Sequence, residues 1–200
     1  EIMHRLRGRK GSHVDLGVVR REISDTLHFD VVRDKIPVNS VDAAYMVTPR
    51  IGLIRFNNFA QTTHAEVVEA IKKLRAQGMV DLIIDLQQNG GGYLQAAADI
   101  ASEFLAKNDM IVYTRGRSVP NQEFRSSGSG LFTQGKVAVL VDEYSASAAE
   151  ILSGAIQDQD RGIVVGRRTF GKGLVQRPIE LPDGSMIRLT VAKYYTPSGR

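Results

Sequence analysis

Two short, almost wholly apolar runs at residues 80–86 and 136–141 each precede a junction rich in small residues and then a helical pattern. Apolar runs of this length are typical of strands that are buried on both faces. Such strands occur in sheets that are covered by helices, so the chain is predicted to be an α/β protein with a mixed sheet. With 200 residues, 42% of them hydrophobic, it can enclose one substantial core.

From residue 50 onwards, strand and helix patterns alternate. Apolar residues recur at helical spacing between 67 and 74, directly after Thr63-His64-Ala65-Glu66, which has the sequence of a capping box. Residues 118–134 are rich in Ser, Gly and Asn and are predicted to form a loop. The other predicted helices are 93–107 and 147–157, and the other predicted strands are 51–56, 110–113, 162–165, 175–180 and 186–193, the last two as a hairpin.

The first 36 residues differ from the rest of the chain in composition. They carry much of the net charge of +4, contain the turn Arg9-Lys10-Gly11-Ser12, and have an alternating run at 14–19 that predicts a strand. A piece of this size is too small to hold a core of its own. We therefore predict two parts, residues 1–36 as the end of a domain with its linker and residues 37–200 as the main domain.

Composition excludes several classes of site. The chain has no cysteine, so disulfides, thiolate metal sites and a cysteine nucleophile are ruled out. Aromatic residues make up only 6% of the chain and the basic excess reads as a solvated surface, so nucleic-acid binding is not expected. No apolar stretch approaches the roughly 18 residues that span a bilayer, and no stable membrane insertion is expected. The first residues lack the apolar core of a secretory signal, which says little about location because signals are removed by processing.

Three segments place small residues where backbone amides are free to bind an anion. They are Asn89-Gly90-Gly91-Gly92, the segment 145–150 and the segment 166–173. The third nearly matches a phosphate-binding P-loop, but Gly173 stands where a hydroxyl must meet magnesium. The residues that follow read as a strand, whereas a P-loop opens a helix. The sequence therefore disfavours a nucleoside triphosphatase.

Ser147 has two interpretations. With Glu150 three residues later it can form a capping box, as an ordinary helix start would. A serine on a rigid strand-to-helix junction, with free amides beside its hydroxyl, is also typical of a nucleophile, and the Ala148 amide would then face the reacting oxygen. The residue alone does not decide between these interpretations.

A serine nucleophile needs a base, and the four histidines are poorly placed for that role. None of them lies in a glycine-rich junction: His4, His13, His28, His64. A lysine base must be neutral, which requires burial, because the amine of an exposed lysine has a pKa of about 10.4. Lys172 lies between two glycines and is flanked by Phe170 and Leu174, which can exclude water. If the segment is a strand, Gln176 points the same way and can orient the amine. The alternative is an exposed strand lysine with no catalytic role.

Taken together, the three segments resemble the carboxyl-terminal processing (tail-specific) peptidases, a family of Ser–Lys serine endopeptidases. Residues 85–92 are similar to the family's Asp-Leu-Arg-x-Asn-x-Gly-Gly, residues 145–151 to Ser-Ala-Ser-Ala-Ser-Glu-Ile, and residues 169–176 to Thr-Phe-Gly-Lys-Gly-x-x-Gln. Residues 189–200 also resemble the family's closing segment. Gln87 and Ala149 depart from the pattern, where the family has arginine and serine.

The resemblance implies roles for particular residues. The family's nucleophile falls on Ser147, its general base on Lys172 and its lysine-orienting glutamine on Gln176. The oxyanion-binding amides fall on Ala148 and on the pair Gly91-Gly92, with Gly91 favoured. No cofactor and no metal ion are implied.

The resemblance also implies a fold and an activity. The fold would be a ClpP/crotonase-like superhelix of αββ units, preceded in residues 1–36 by a remnant of a PDZ domain, since residues 6–12 are similar to the end of the family's PDZ domain. The activity would be cleavage of protein substrates with apolar C-termini, in or near their C-terminal region, through an acyl-enzyme on Ser147. The location would be extracytoplasmic, in the periplasm or at the cell envelope.

Three matters stay open at this stage. The resemblance leaves homo-oligomerisation undecided. A crotonase-like acyl-CoA enzyme would share the fold and the oxyanion hole, but it would usually employ a carboxylate as its acid or base. A non-catalytic scaffold that retains the fold is the other alternative.

Overall fold

A computed structural model describes residues 2–34 and 39–200, without the side chain of His4. The chain divides into two compact units, residues 1–38 and 39–200. The boundary predicted at residue 36 lies outside the described residues. None of the helices within the described ranges is long and apolar enough to cross a membrane.

The first unit contains a short helix α1 (Ile2–Leu6) and an antiparallel hairpin of β1 (His13–Val18) and β2 (Leu27–Val32). The guanidinium group of Arg33 holds these pieces together by donating to the main-chain oxygens of Leu6 and His13, each at 2.7 Å. Of the side chains described in this unit, none is buried.

The second unit contains three helices and nine strands in its described residues. In chain order these are β3 (Val41–Met46), β4 (Ile51–Phe56), α2 (Thr63–Ala76), β5 (Asp81–Asp85), α3 (Leu94–Ser102), β6 (Met110–Arg115), β7 (Gln122–Arg125), β8 (Val137–Val141), α4 (Ala148–Asp158), β9 (Ile163–Gly166), β10 (Leu174–Glu180) and β11 (Met186–Tyr195). The fold is mixed α/β, as the sequence predicts.

A five-stranded sheet in the order β3-β4-β5-β8-β9 forms the centre of this unit. Strands β4, β5, β8 and β9 are parallel, and β3 pairs antiparallel with β4. The two apolar runs do form central strands, but full burial on both faces was a wrong expectation. Ile84 and Val139 are buried, whereas Ile83 and Ala138, which face each other in the register, are only half-buried. Alternate residues are fully buried because the main core lies on one face of the sheet.

A second sheet is antiparallel, in the order β10-β11-β6-β7. Strand β10 pairs with β11 around a turn at Pro182-Asp183-Gly184, which confirms the predicted hairpin. Strand β7 falls inside residues 118–134, so the prediction of a loop there was wrong over Gln122–Arg125. These four residues are mostly polar and lie at the sheet edge, so they carry no hydrophobic alternation.

Two predicted helix ends also need correction. Helix α2 begins at Thr63, and Glu66 does not close a capping box there, because its carboxylate accepts hydrogen bonds from the main-chain N–H groups of Ser40 and Val41 at 2.7 and 3.0 Å. Helix α3 ends at Ser102, five residues before the predicted end. The Glu103 carboxylate accepts a hydrogen bond from Leu131 N–H at 2.8 Å, and this tertiary contact turns the chain out of the helix.

Candidate active site

Ser147 lies at the junction between β8 and α4. Its φ is +58°, in a region that residues with a side chain rarely occupy and that costs of order 1–3 kcal/mol. Two contacts over-determine this backbone: Ser147 N–H donates to the Glu150 carboxylate at 2.8 Å, and Ala146 N–H donates to Asn89 O at 3.0 Å. A strained serine at a strand-to-helix turn is the local geometry of a nucleophile elbow.

The Glu150 carboxylate connects this junction to the segment that carries Lys172. One oxygen accepts the N–H groups of Ser147 and Lys172, both at 2.8 Å. The other accepts Gly171 N–H at 2.6 Å and the Thr169 hydroxyl at 2.8 Å. Residues 25 apart in sequence are therefore bonded to a single oxygen atom. Sequence reasoning recognised Glu150 only as part of a capping box and missed this role.

Ser147 and Lys172 line the same open cavity of about 330 Å³. Lys172 is half-buried, and within residues 2–34 and 39–200 its side-chain nitrogen Nζ has no hydrogen-bond or ion-pair partner. The expected shielding by Phe170 was wrong, because Phe170 is 67% exposed. Its main-chain N–H donates to Ser145 O, which turns the segment so that the ring faces outwards.

Gln176 lines this cavity too, but among the described residues no hydrogen bond joins its side chain to that of Lys172. Its side-chain amide donates to the Thr190 hydroxyl at 3.5 Å. Lys172 and Gln176 do line the same cavity, as the sequence predicts, but the strand that was predicted to join them does not start at Lys172. Strand β10 begins only at Leu174, and a register shift between Val175 and Gln176 interrupts its pairing with β11.

The glycine loop packs directly against the serine junction. A Cβ atom on Gly91, whose φ is +93°, would lie 2.8 Å from Ser147 Cβ and 2.9 Å from Ala148 N. Gly91 N–H is already used, because it donates to Asn89 Oδ1 at 2.9 Å. In the part of the chain that the structure describes, the N–H groups of Gly92 and Ala148 have no acceptor. Of these two donors, Ala148 N–H directly follows Ser147 in the chain and Gly92 lines the cavity that contains Ser147.

Asn89 holds the two loops together, a role that the sequence pattern did not reveal. Its side chain is buried, donates to Phe56 O at 2.7 Å and accepts from Gly91 N–H. Its main-chain oxygen accepts from Ala146 N–H, next to the serine. The signal was its place directly before three glycines, where a small polar side chain often bonds to nearby backbone.

Asp142, directly after β8, stabilises the junction that precedes Ser147. Its carboxylate accepts hydrogen bonds from Gln88 N–H at 3.0 Å and Ser145 N–H at 3.1 Å, and Ser145 Oγ in turn donates to Leu86 O at 2.8 Å. Burial acts to raise the pKa of Asp142, but the hydrogen bonds from Gln88, Tyr144 and Ser145 outweigh it and leave the pKa below its ordinary value. The ends of β5 and β8 are thereby joined around an ionised carboxylate.

Comparison with known proteins bears on the class of this site. Residues 50–200 match the model of Peptidase family S41. A carboxyl-terminal-processing protease of Picosynechococcus sp. is 40% identical over 199 residues, which cover 98% of this chain and 48% of that protein. Carboxyl-terminal-processing peptidase 3, chloroplastic, of Arabidopsis thaliana is 35% identical over 205 residues, which cover 97% of this chain and 40% of that protein. The solved structure of a photosystem II D1 C-terminal processing protease superposes with a TM-score of 0.72 at 30% identity, covering 96% of this chain and 53% of that one.

The chain therefore belongs to peptidase family S41, within its group of carboxyl-terminal processing peptidases. It spans about half the length of the curated relatives it matches.

Proposed function

We propose that residues 39–200 form the catalytic core of a serine endopeptidase that cleaves protein substrates in or near their C-terminal region. The observation that carries the proposal is the Glu150 carboxylate, which bonds the backbones of Ser147 and Lys172 through one oxygen at the edge of one cavity. Membership of family S41 supports the same assignment.

The reaction proceeds through an acyl-enzyme. The neutral amine of Lys172 takes the proton of Ser147 Oγ as this oxygen attacks a peptide carbonyl carbon. Lys172 then gives that proton to the leaving amine nitrogen as the C–N bond breaks. A water molecule attacks the ester, again with Lys172 as base, and releases the acid and the free serine.

The oxyanion is held by the N–H groups of Ala148 and Gly92. We assign Gly92 in preference to Gly91 because Gly91 N–H is committed to Asn89. Gln176 orients the lysine amine after its side chain leaves Thr190, since both side chains line the cavity that holds Ser147.

Substrates and location are proposed from the resemblance to the carboxyl-terminal processing peptidases. We propose proteins with apolar C-termini as substrates and an extracytoplasmic site of action; one relative is named as a chloroplast protein. We propose further that residues 1–36 are the end of a PDZ domain, and that β4, β5, β8 and β9, linked through α2, α3 and α4, belong to a ClpP/crotonase-like superhelix.

The test is cleavage of an unfolded protein with an apolar C-terminus, followed by mass spectrometry of the products. Ser147→Ala and Lys172→Ala should each lower the rate by at least about 1,000-fold, because nucleophile and base act as a unit. Lys73→Ala, on the exposed side of α2, is the matched control and should leave the rate unchanged. Reaction of Ser147 with a fluorophosphonate gives a second readout. Cleavage that survives in either dyad variant would contradict the assignment.

A further inference from the structure

Tyr194 on β11 lies against the segment that carries Lys172. Its hydroxyl donates a hydrogen bond to the main-chain oxygen of Lys172, and its N–H donates to Gly173 O at 3.1 Å. The side chain is only 8% exposed and belongs to the hydrophobic core. It lines both the cavity that contains Ser147 and a neighbouring cavity of about 310 Å³. Among residues 2–34 and 39–200, Lys172 is the other one that lines both, so these two residues lie between the cavities.

The lysine segment needs such contacts because of its glycines. Lys172 stands between Gly171, whose φ is +83°, and Gly173. Glycines leave a backbone free to take many conformations, so order here must come from outside the segment. Glu150 holds its N–H groups, at Gly171 and Lys172, and Tyr194 holds its carbonyl groups, at Lys172 and Gly173. Both peptide groups that flank the Lys172 Cα atom are thereby fixed.

We propose that Tyr194 is a positioning residue for the peptidase reaction: its hydroxyl, by holding the Lys172 carbonyl, keeps the lysine amine in the cavity that contains Ser147. This inference rests on the proposed function. The aromatic ring fills the core in any case, so the proposal concerns the hydroxyl group alone.

The hydroxyl acts as a donor and not as a base. Burial raises the pKa of Tyr194, the negative charge of Glu150 raises it further, and a hydrogen bond with the Ser147 side chain lowers it by less. The group therefore stays protonated over the working pH range of an enzyme. The other charged or titratable groups that line the two cavities with Lys172 are Glu150 and Asp158 on α4, Arg188 on β11, Tyr93 and Arg200.

The experiment compares Tyr194→Phe with Tyr195→Phe. Phenylalanine keeps the ring and removes only the hydroxyl. Tyr195 is the neighbouring residue on the same strand, but its ring stacks on Tyr113, with 5.2 Å between the ring centroids, and lines neither of the two cavities with Lys172. Tyr195→Phe is therefore expected to behave as the wild type.

For Tyr194→Phe we expect kcat to fall roughly 3- to 10-fold with KM unchanged, as for the loss of one hydrogen bond that acts on the base. The dependence of kcat/KM on pH should shift, because the residue that is repositioned is the proposed base. The rate at which Ser147 reacts with a fluorophosphonate should show the same shift of its pH dependence. Thermal unfolding is measured for both variants.

The outcomes separate the two proposals. An unchanged kcat and pH profile in Tyr194→Phe, with Ser147→Ala and Lys172→Ala inactive, would overturn the role of Tyr194 and leave the dyad intact. A lower kcat without a shift of the pH profile would assign Tyr194 a structural role only, which also overturns the proposal. Activity that survives in Ser147→Ala would refute the peptidase assignment itself, whatever Tyr194→Phe shows.

Discussion

Replacing Glu150 by glutamine tests whether one carboxylate holds the site together. The carboxylate accepts four hydrogen bonds between 2.6 and 2.8 Å. Glutamine offers one acceptor oxygen, so two of the four donors would face its NH₂ group instead. Hydrogen bonds to a charged group contribute about 1.5–3 kcal/mol each, so the loss is about 3–6 kcal/mol.

Part of the free energy lost in Glu150→Gln lowers the stability of the whole protein, and part of it loosens only the segment that carries Lys172. If about 2 kcal/mol of it releases the Lys172 segment without unfolding the protein, the population of the competent site and hence kcat/KM fall about 30-fold. The remainder lowers the free energy of unfolding. Both quantities are measured on the same preparation, by peptide cleavage well below the melting temperature and by urea unfolding.

Glu103→Gln is the matched control for Glu150→Gln. Glu103 is also a half-buried glutamate that accepts a main-chain N–H, from Leu131, and it pairs with His64 at 2.8 Å. It should lose stability with little loss of activity. If Glu150→Gln retains kcat/KM within about threefold of the wild type, or if Glu103→Gln loses as much activity, the reasoning is wrong.

Further predictions concern the supporting loops. Gly91→Ala should lower the free energy of unfolding by at least about 1–3 kcal/mol and abolish most activity, because a Cβ atom there would lie 2.5 Å from Ala146 O and φ is positive. Gly90→Ala is the control in the same unfolding and cleavage assays, since a Cβ atom at Gly90 would meet nothing within 4 Å. Asn89→Ala should lower the free energy of unfolding by about 2–4 kcal/mol in urea titrations, because two buried hydrogen bonds are lost. The pKa of Asp142 in the folded protein lies below its ordinary value of 3.8, so the stability that Asp142 contributes is complete above pH 3.8 and is lost as pH falls through the lower folded value. In Asp142→Asn, the free energy of unfolding should therefore fall less steeply at acid pH than in the wild type. An unchanged acid dependence would contradict this.

The sequence predicted the parts of this fold whose cause is local. Hydrophobic pattern placed the strands near 51–56, 80–86 and 136–141, because burial of apolar residues sets these elements directly, and the capping-box spacing of Ser147 and Glu150 placed the start of α4. Strand β7 was not predicted because an edge strand is defined by its pairing with its neighbour β6 rather than by its own residues. Helix α3 ended early for the same reason, since Glu103 is held by a loop almost thirty residues further on.

The candidate site also has parts that the local sequence predicts and parts that depend on distant contacts. Motif spacing named Ser147, Lys172 and the glycine loop, but it could not assign Glu150 to the lysine segment, because that contact joins residues more than twenty positions apart. The resemblance favoured Gly91 over Gly92 as an oxyanion donor, and our proposal of Gly92 rests on the hydrogen bond from Gly91 N–H to Asn89, which the sequence did not reveal.

The pattern of bonded and unpaired groups bears on how the proposed dyad of Ser147 and Lys172 would assemble. Glu150 fixes the backbones of Ser147 and Lys172, whereas the lysine amine has no partner among the described residues and Gln176 donates to Thr190. Side-chain torsions have several staggered wells, and exposed side chains exchange between them within nanoseconds. We infer that rotation of Lys172 and Gln176 completes the dyad without movement of the main chain. In this proposal, the bonds from Glu150 to the main-chain N–H groups of Ser147 and Lys172 keep the two backbones together while the side chains move.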